Sequence, residues 1–240
     1  MDYPITSATT TTAALLQSAG ASADEVRAVW YAYPMATFVT AEHFDDEIEV
    51  TATTLRTFGE KDCLAHALLD VCEELRTATD CTCTFGHEGG YQIVTILSDI
   101  CSKKGKPSDI ALLRDLAPVM QKQALCGEGR AMASAVLQAL DLFGPEIEAH
   151  IGKKSCPSGG CPAFQTYHIL VSKCIGCGKC LDACDDGAIM GKPRFVHVVD
   201  QRKCVQCGRC REVCPEGAVV RAGAKKPKTP PRPIPCKRKK

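Results

Sequence analysis

Eight cysteines in two runs carry the clearest chemistry of this sequence. The segment KCIGCGKCLDACDDGAIMG returns thirty residues later as KCVQCGRCREVCPEGAVVR. Each copy has the spacing C-x2-C-x2-C-x3-C: Cys174, Cys177, Cys180 and Cys184, then Cys204, Cys207, Cys210 and Cys214. A 4Fe-4S cube needs four thiolates from tetrahedral directions, and three cysteines at two-residue intervals wrap three iron corners within one loop. Where two such runs are paired, the fourth cysteine of each crosses to the other cluster. The spacing therefore assigns Cys174, Cys177, Cys180 and Cys214 to one 4Fe-4S cluster, and Cys204, Cys207, Cys210 and Cys184 to a second. Zinc ribbons would need a C-x2-C pair and a distant second pair, not four cysteines in eleven residues. Asp185 follows Cys184 where Pro215 follows Cys214. Negative charge disfavours the uptake of an electron, so Asp185 should lower the potential of its cluster relative to the twin.

A second set is Cys63, His150, Cys156 and Cys161, the last three spaced H-x5-C-x4-C. Mixed Cys3His ligation is typical of a closed tetrahedral zinc site. The alternative is a helix-end histidine favoured by the dipole, with Cys156 and Cys161 as free thiols. Cys72 and Cys101 fall on apolar helical faces and read as small core residues, and Cys236 reads as a free thiol. In all, 17 of 240 residues are cysteine. No charged segment followed by an apolar one opens the chain, and no run of about 18 apolar residues occurs, so neither a signal peptide nor a membrane span is expected. Cysteines in a reducing cytosol more often bind metal than pair as disulfides, which points to a cytoplasmic protein. Nine of the 29 Lys and Arg residues lie in the last twenty, with no acid among them. Residues 1–220 therefore carry 20 basic against 28 acidic side chains. An acidic body argues against nucleic acid as a partner.

These ligands need elements to hold them, and the expected fold class is α+β. Residues 1–22 read as a flexible N-terminal arm. Residues 23–56, rich in Val, Thr and aromatics, read as a small β or α+β segment. Four helical patterns over 57–151 suggest a four-helix bundle. The first has Leu64, Ala67, Leu68, Val71, Cys72 and Leu75 on one face, and the second Val94, Leu97 and Ile100. The third starts at a Ser108 N-cap and buries Ile110, Leu112, Leu113, Leu116, Val119 and Met120. The fourth carries Met132, Val136, Leu137, Leu140 and Phe143, with Pro145 expected to kink or split it. Residues 152–166 read as a linker bearing the zinc ligands, 167–222 as the two-cluster domain, and 223–240 as a basic, proline-rich disordered tail.

The order GEKDC, CTCTFGHEGGYQIVTIL, LCGEG, FGPEIEAHI and KKSCPSGGC, followed by the repeat, resembles the iron-sulfur-binding end of the family of flavin-carrying NADH dehydrogenase F subunits. It is most similar to versions fused to a bacterial-type two-cluster ferredoxin in beta subunits of electron-bifurcating NAD(P)-linked hydrogenases. The resemblance covers residues 45–222. It implies a third iron-sulfur centre, 4Fe-4S or 2Fe-2S, in the bundle, which that family holds with S-C-G-x-C-x-x-C-R-x-G and the cysteine of L-C-G-x-G. With Gly89 on the closing glycine, Cys83 takes the second ligand position and Cys126 the distant one. Asp80 and Gly86 replace the first and third cysteines; Cys81 lies one residue past the first, and His87 stands where the family has Arg. The implied ligand set is Cys81, Cys83 and Cys126 with His87 or an aspartate, Asp80, as the fourth, and helix N-termini behind Cys83 and Cys126 would favour an anionic cluster. The other reading is a site that has lost its metal and kept its glycines for packing. The resemblance also implies that zinc staples the bundle to the ferredoxin domain.

The functional expectation is an iron-sulfur electron-transfer subunit of a cytoplasmic flavin-dependent oxidoreductase complex. It would relay electrons between a partner's flavin and ferredoxin or another redox subunit, with electron bifurcation as the setting the resemblance suggests. The expected partners are flavin- and NAD(P)-binding subunits and ferredoxin in a hetero-oligomer. No G-x-G-x-x-G or phosphate loop is present, and no large segment precedes residue 50, so no flavin or NAD site of its own is expected. The alternative is a structural adaptor whose clusters serve stability.

Overall fold

The structure is a computed structural model that describes residues 2–5, 8–50, 53–79, 83–223 and 225–236. It divides into two compact units, Met1–Ala163 and Phe164–Lys240. Helices and small antiparallel sheets are segregated along the chain, an α+β architecture.

The first unit opens with β1 (Asp2–Ile5), β2 (Ala8–Thr11) and α1 (Thr12–Ser18), followed by β3 (Val26–Tyr31), β4 (Thr37–Thr40), β5 (Glu47–Val50) and β6 (Thr53–Gly59). A four-stranded antiparallel sheet has the order β1-β6-β3-β4, and β2 pairs with β5. The central strand β3 is buried along most of its length because both faces are covered. Val29 and Tyr31 pack with Leu16 of α1, Val39 and Leu55. Trp30, pointing the other way, stacks at 4.6 Å on Phe38, whose ring meets Phe143 edge-on at 5.4 Å. Within the arm expected over 1–22, α1 packs onto the sheet. Thr11 caps α1 by accepting from Ala14 N–H at 3.2 Å, and Leu16 is fully buried. One well-placed apolar side chain and a cap fix a segment whose composition is otherwise polar.

The helical layer comprises α2 (Leu64–Ala78), α3 (Thr84–Cys101), α4 (Ser108–Gln123), α5 (Gly127–Leu142) and α6 (Gly144–Gly152). The fourth pattern is split at Phe143. Pro145 sits in the first turn of α6, where its missing N–H has no intrahelical partner to lose. All six apolar positions expected for α2 are buried. In α3 the buried face includes Ile93 where Val94 was expected, and α4 is capped at Pro107, not at Ser108. Leu112 and Val119 of α4, expected in the core, are 50% and 45% exposed. With apolar residues on more than one stripe, only the seam of Leu113, Ala117 and Met120 can face the bundle. Among the described residues no helix is long and apolar enough to cross a membrane.

The second unit contains β7 (Thr166–Ile169), α7 (Lys179–Asp182), β8 (Ile189–Met190), β9 (Val198–Val199), α8 (Arg209–Glu212) and β10 (Val219–Ala222). β7 pairs with β10, and β8 with β9. The two sequence repeats share one backbone path. Gly178 and Gly208, each one residue after the second cysteine of its run, adopt φ of 89° and 85° as the N-caps of α7 and α8. This left-handed turn, cheap only for glycine, brings the third cysteine back toward the first two. Residues 225–236 of the tail depart from the expected disorder. Val196 N–H donates to Ile234 O at 2.7 Å, Cys236 N–H donates to Arg194 O at 2.9 Å, and Pro235 bridges Phe195. A proline-rich segment makes few hydrogen bonds within itself, but it can still pair at its non-proline positions along a free edge.

Candidate metal centres

The second unit holds two matched pockets. Cys174, Cys177, Cys180 and Cys214 line the first; Cys204, Cys207, Cys210 and Cys184 line the second. Each takes three cysteines from one repeat and the fourth from the other, the crossed grouping the spacing suggests. Burial follows the same two-fold pattern: the third cysteines, Cys180 and Cys210, are buried, and the second, Cys177 and Cys207, are exposed. The fourth sulfurs are fixed alike, Cys184 Sγ accepting from Ala188 N–H and Cys214 Sγ from Ala218 N–H, both at 3.3 Å. Burial, then the neighbouring sulfurs, push the thiol of Cys180 up to about 12 and that of Cys210 up to about 11. Four converging sulfurs need a cationic core to ionise together, and two such sets in matched pockets fit two 4Fe-4S clusters. Asp185, beside Cys184, is ion-paired with Arg209.

Cys63, His150, Cys156 and Cys161 come together in the first unit, with all four ligand atoms within 4.8 Å of one another. Every one of these residues is at most 5% exposed. Cys63 precedes α2, His150 lies in α6, and the two remaining cysteines sit in the turn that follows. His150 Nδ1 faces the carbonyl of Glu146 at 2.7 Å, which turns Nε2 toward Cys63 Sγ at 3.2 Å and Cys161 Sγ at 3.5 Å. A carbonyl on the far ring nitrogen is the support a metal-bound histidine needs. Without an ion, the group must share protons. Hydrogen bonds from Cys161 and Cys63 hold the Cys156 thiol well below its ordinary value, while Cys63 is pushed up by Cys156, Cys161 and burial. Burial works against a charged His150, yet contacts with Cys156 and Cys63 raise it to about 10. Tetrahedral zinc with Zn–S of about 2.3 Å places its sulfurs about 3.8 Å apart, so the donor set fits. One expectation is corrected. Residues 153–163 fold onto the bundle and are not a linker: a side chain at Gly160 would strike Lys61 O and Cys63 N, at 2.7 and 2.9 Å. All four donors lie in one unit, Met1–Ala163.

The bundle site is different. Cys83 caps α3 and is 3% exposed; its sulfur accepts from the N–H groups of Leu125 (3.2 Å), Gly86 (3.3 Å) and Cys126 (3.4 Å). Burial opposes ionisation, but the Cys126 thiol and these three N–H groups together hold Cys83 below its ordinary value. Gly86 closes the remaining space. A Cβ there would collide with Cys126 Sγ and stand 3.0 Å from Cys83 Sγ, and a Cβ on Gly129 would lie 2.8 Å from Gly86 Cα. His87 turns to Glu88, its Nε2 4.0 Å from the carboxylate. No group of three ligand atoms that includes it with both sulfurs falls within 4.8 Å among the described residues. Cys81 and Asp80 lie outside the described residues. Cys83 and Cys126 thus sit at the N-termini of α3 and α5, with Gly86 between them.

Spacing gave no sign of several site residues. Glu146, 9% exposed, accepts from Leu64 N–H at 2.9 Å through Oε1 and pairs with Arg27 through Oε2, so it ties α6 to the start of α2 and to β3. Cys101, read as a core residue, lies with His66 within 4.8 Å of Cys161, and His66 Nδ1 is buried with no partner among the described residues. An isolated cysteine or glutamate in an amphipathic helix carries no signal of a partner 60 to 80 positions away.

Comparison with known proteins agrees with this division. Residues 64–150 match the NADH-ubiquinone oxidoreductase-F iron-sulfur binding region, and residues 173–218 match a 4Fe-4S dicluster domain. The NADP-reducing hydrogenase subunit HndC of Solidesulfovibrio fructosivorans is 33% identical over 138 residues, covering 58% of this chain and 28% of its own. The F subunit of the NADH-quinone oxidoreductase of Streptomyces coelicolor is 33% identical over 103 residues, covering 43% of this chain and 23% of its own. The chain thus spans about a quarter of the length of these relatives. A crystal structure of an NAD+-reducing [NiFe]-hydrogenase in the H2-reduced state superposes with a TM-score of 0.54 at 16% identity, over 60% of this chain and 26% of that one, which shows a shared fold. The chain is therefore similar to an NADH-ubiquinone oxidoreductase-F iron-sulfur binding region over residues 64–150 and to a 4Fe-4S dicluster domain over residues 173–218.

Proposed function

We propose that this chain is the iron-sulfur electron-transfer module of a cytoplasmic flavin-dependent oxidoreductase complex. It passes single electrons between a flavin on an NAD(P)-binding partner subunit and ferredoxin or a further redox subunit, in a complex of the bifurcating type. The observation that carries this reading is the pair of four-cysteine cavities, each completed by a cysteine from the opposite repeat. When bound, a 4Fe-4S cluster supplies a one-electron couple and no bond-making chemistry. The chain's own residues set where the electron waits and how strongly it is held. Crossed ligation by Cys184 and Cys214 keeps the two sites adjacent, so that Cys180 feels the charge of Cys210 from the other set. Asp185 disfavours an extra electron in the second cavity, although its pairing with Arg209 tempers that effect. Cys63, His150, Cys156 and Cys161 hold a structural zinc that fixes the first unit. No electron step is assigned to the bundle cysteines.

Anaerobic metal analysis with EPR on the dithionite-reduced protein tests this. The expected result is about eight irons per chain from two cubes and one zinc, with no NADH oxidation by the isolated chain. Four irons, or NADH turnover by the chain alone, would overturn the reading.

A further inference from the structure

Among the described residues, Ile234–Cys236 of the C-terminal segment pairs beside the first cluster site. Gly176, in the loop between Cys174 and Cys177, has φ of 71° and no room for a side chain: a Cβ there would lie 2.7 Å from Arg194 Cα and from Phe195 N. That close approach seats residues 194–196 on the first loop, where Arg194 N–H donates to Gly176 O at 3.0 Å. Ile234–Cys236 pairs with the outer edge of the same stretch. The pairing sets Cys236 beside Arg194, the residue that packs on the loop carrying Cys174. The second repeat has Gln206 at the position of Gly176. His197 approaches Cys174 from within. It is 1% exposed, its Nδ1 stands 3.9 Å from Cys174 Sγ, and its Nε2 has no partner among the described residues. Gly191 leaves the space its ring fills, since a Cβ there would collide with the imidazole. A ligating thiolate only accepts, so each of these residues can meet it only as a donor, Cys236 through S–H and His197 through Nδ1–H.

We propose that Cys236, held by the C-terminal strap, and His197 are positioning residues that donate hydrogen bonds to Cys174 and so raise the potential of its cluster above that of the other. The proposal rests on the two-cluster reading above. Hydrogen bonds to a cluster sulfur stabilise the more negative, reduced state, because the added electron increases charge on the sulfur. Asp185 acts in the opposite sense at the second site. The two devices split the potentials in one direction, and the Cys174 cluster becomes the one that fills first.

The test is EPR-monitored potentiometry on the full chain with both clusters loaded, comparing Cys236→Ala, Cys236→Ser and Asp185→Asn. In Cys236→Ala the reduced-to-oxidised ratio of the higher-potential couple should fall about three- to tenfold at fixed poise, and a tenfold change equals 59 mV for one electron. Cys236→Ser, which keeps a donor, should recover most of that loss. Asp185→Asn should move only the lower couple, upward. The strap is refuted if iron stays at eight per chain while Cys236→Ala leaves both couples in place, or if the Cys236 and Asp185 variants move the same couple. Four irons in the unsubstituted protein would overturn both the proposal and the two-cluster reading, whereas a two-cluster protein with unmoved couples overturns the proposal alone.

Discussion

Replacing His150 by alanine should release the zinc and loosen the whole first unit, by an amount the structure allows to be worked out. His150 and Cys63 are 87 positions apart. An ion that joins them removes from the unfolded chain the entropy of an open loop of that length. In the chain-entropy treatment used for cross-links, this is about 4.6 kcal/mol. For a unit of this size, Met1–Ala163, each kcal/mol moves the melting temperature by about 2–4 °C, so His150→Ala should melt about 9–18 °C lower. Stripping the native protein with a zinc chelator should reproduce the shift, and no further drop should follow when the variant is treated in the same way. Calorimetry gives the temperatures, a colorimetric chelator counts the zinc released, and iron analysis confirms that the second unit keeps its clusters. The reasoning fails if the native protein holds no zinc, or if the variant and the stripped protein melt within about 2 °C of native while zinc is gone.

Three further outcomes follow from packing and burial. Gly86→Ala should cost about 1–3 kcal/mol, because its methyl has nowhere to go between Cys126 and Cys83; an unchanged urea midpoint would mean that this contact is loose. Glu146→Ala should cost about 1–3 kcal/mol by stranding the Leu64 N–H, whereas Arg27→Ala, at a half-exposed position, should cost about 1 kcal/mol or less. Equal losses in chemical denaturation would show that the ion pair, and not the buried N–H, is what matters. Burial raises the Tyr31 phenol above its ordinary value, outweighing its hydrogen bond to Thr12. The unfolded phenol therefore ionises first, and stability should fall as pH rises above about 10. Tyr31→Phe should flatten that alkaline limb, and an unaltered limb in urea titrations at pH 9 and 11 would assign it to other groups.

What could be read in advance was whatever is local. Three cysteines at two-residue intervals dictate a wrapping loop, so Cys174, Cys177 and Cys180, and likewise Cys204, Cys207 and Cys210, were legible as sets. The apolar spacing of α2 named its buried face, and Pro145 announced the break between α5 and α6, because a proline ring acts on its own turn. The crossed partners Cys214 and Cys184 followed from the pairing of two repeats, and the zinc donors could be grouped by type, but how packing brings distant donors together and what becomes of the bundle site were not local facts. Cys63 meets His150 only because α2 and α6 pack together, and Glu146 then fixes both ends. The CTCTFGHEGG segment could be aligned with a cluster loop on residue types alone. Only the tertiary structure brings Gly86 against Gly129 and sets it beside the sulfurs of Cys83 and Cys126. The proline-rich tail misled for a related reason. Composition measures what a segment can bury by itself, and this one is held by an edge that another segment provides, so Cys236 arrives beside Arg194 through backbone pairing that no pattern in residues 223–240 encodes. Residue types and their spacing say which side chains can bind metal; packing selects which of them meet, because contact between distant positions depends on how helices and strands close on one another.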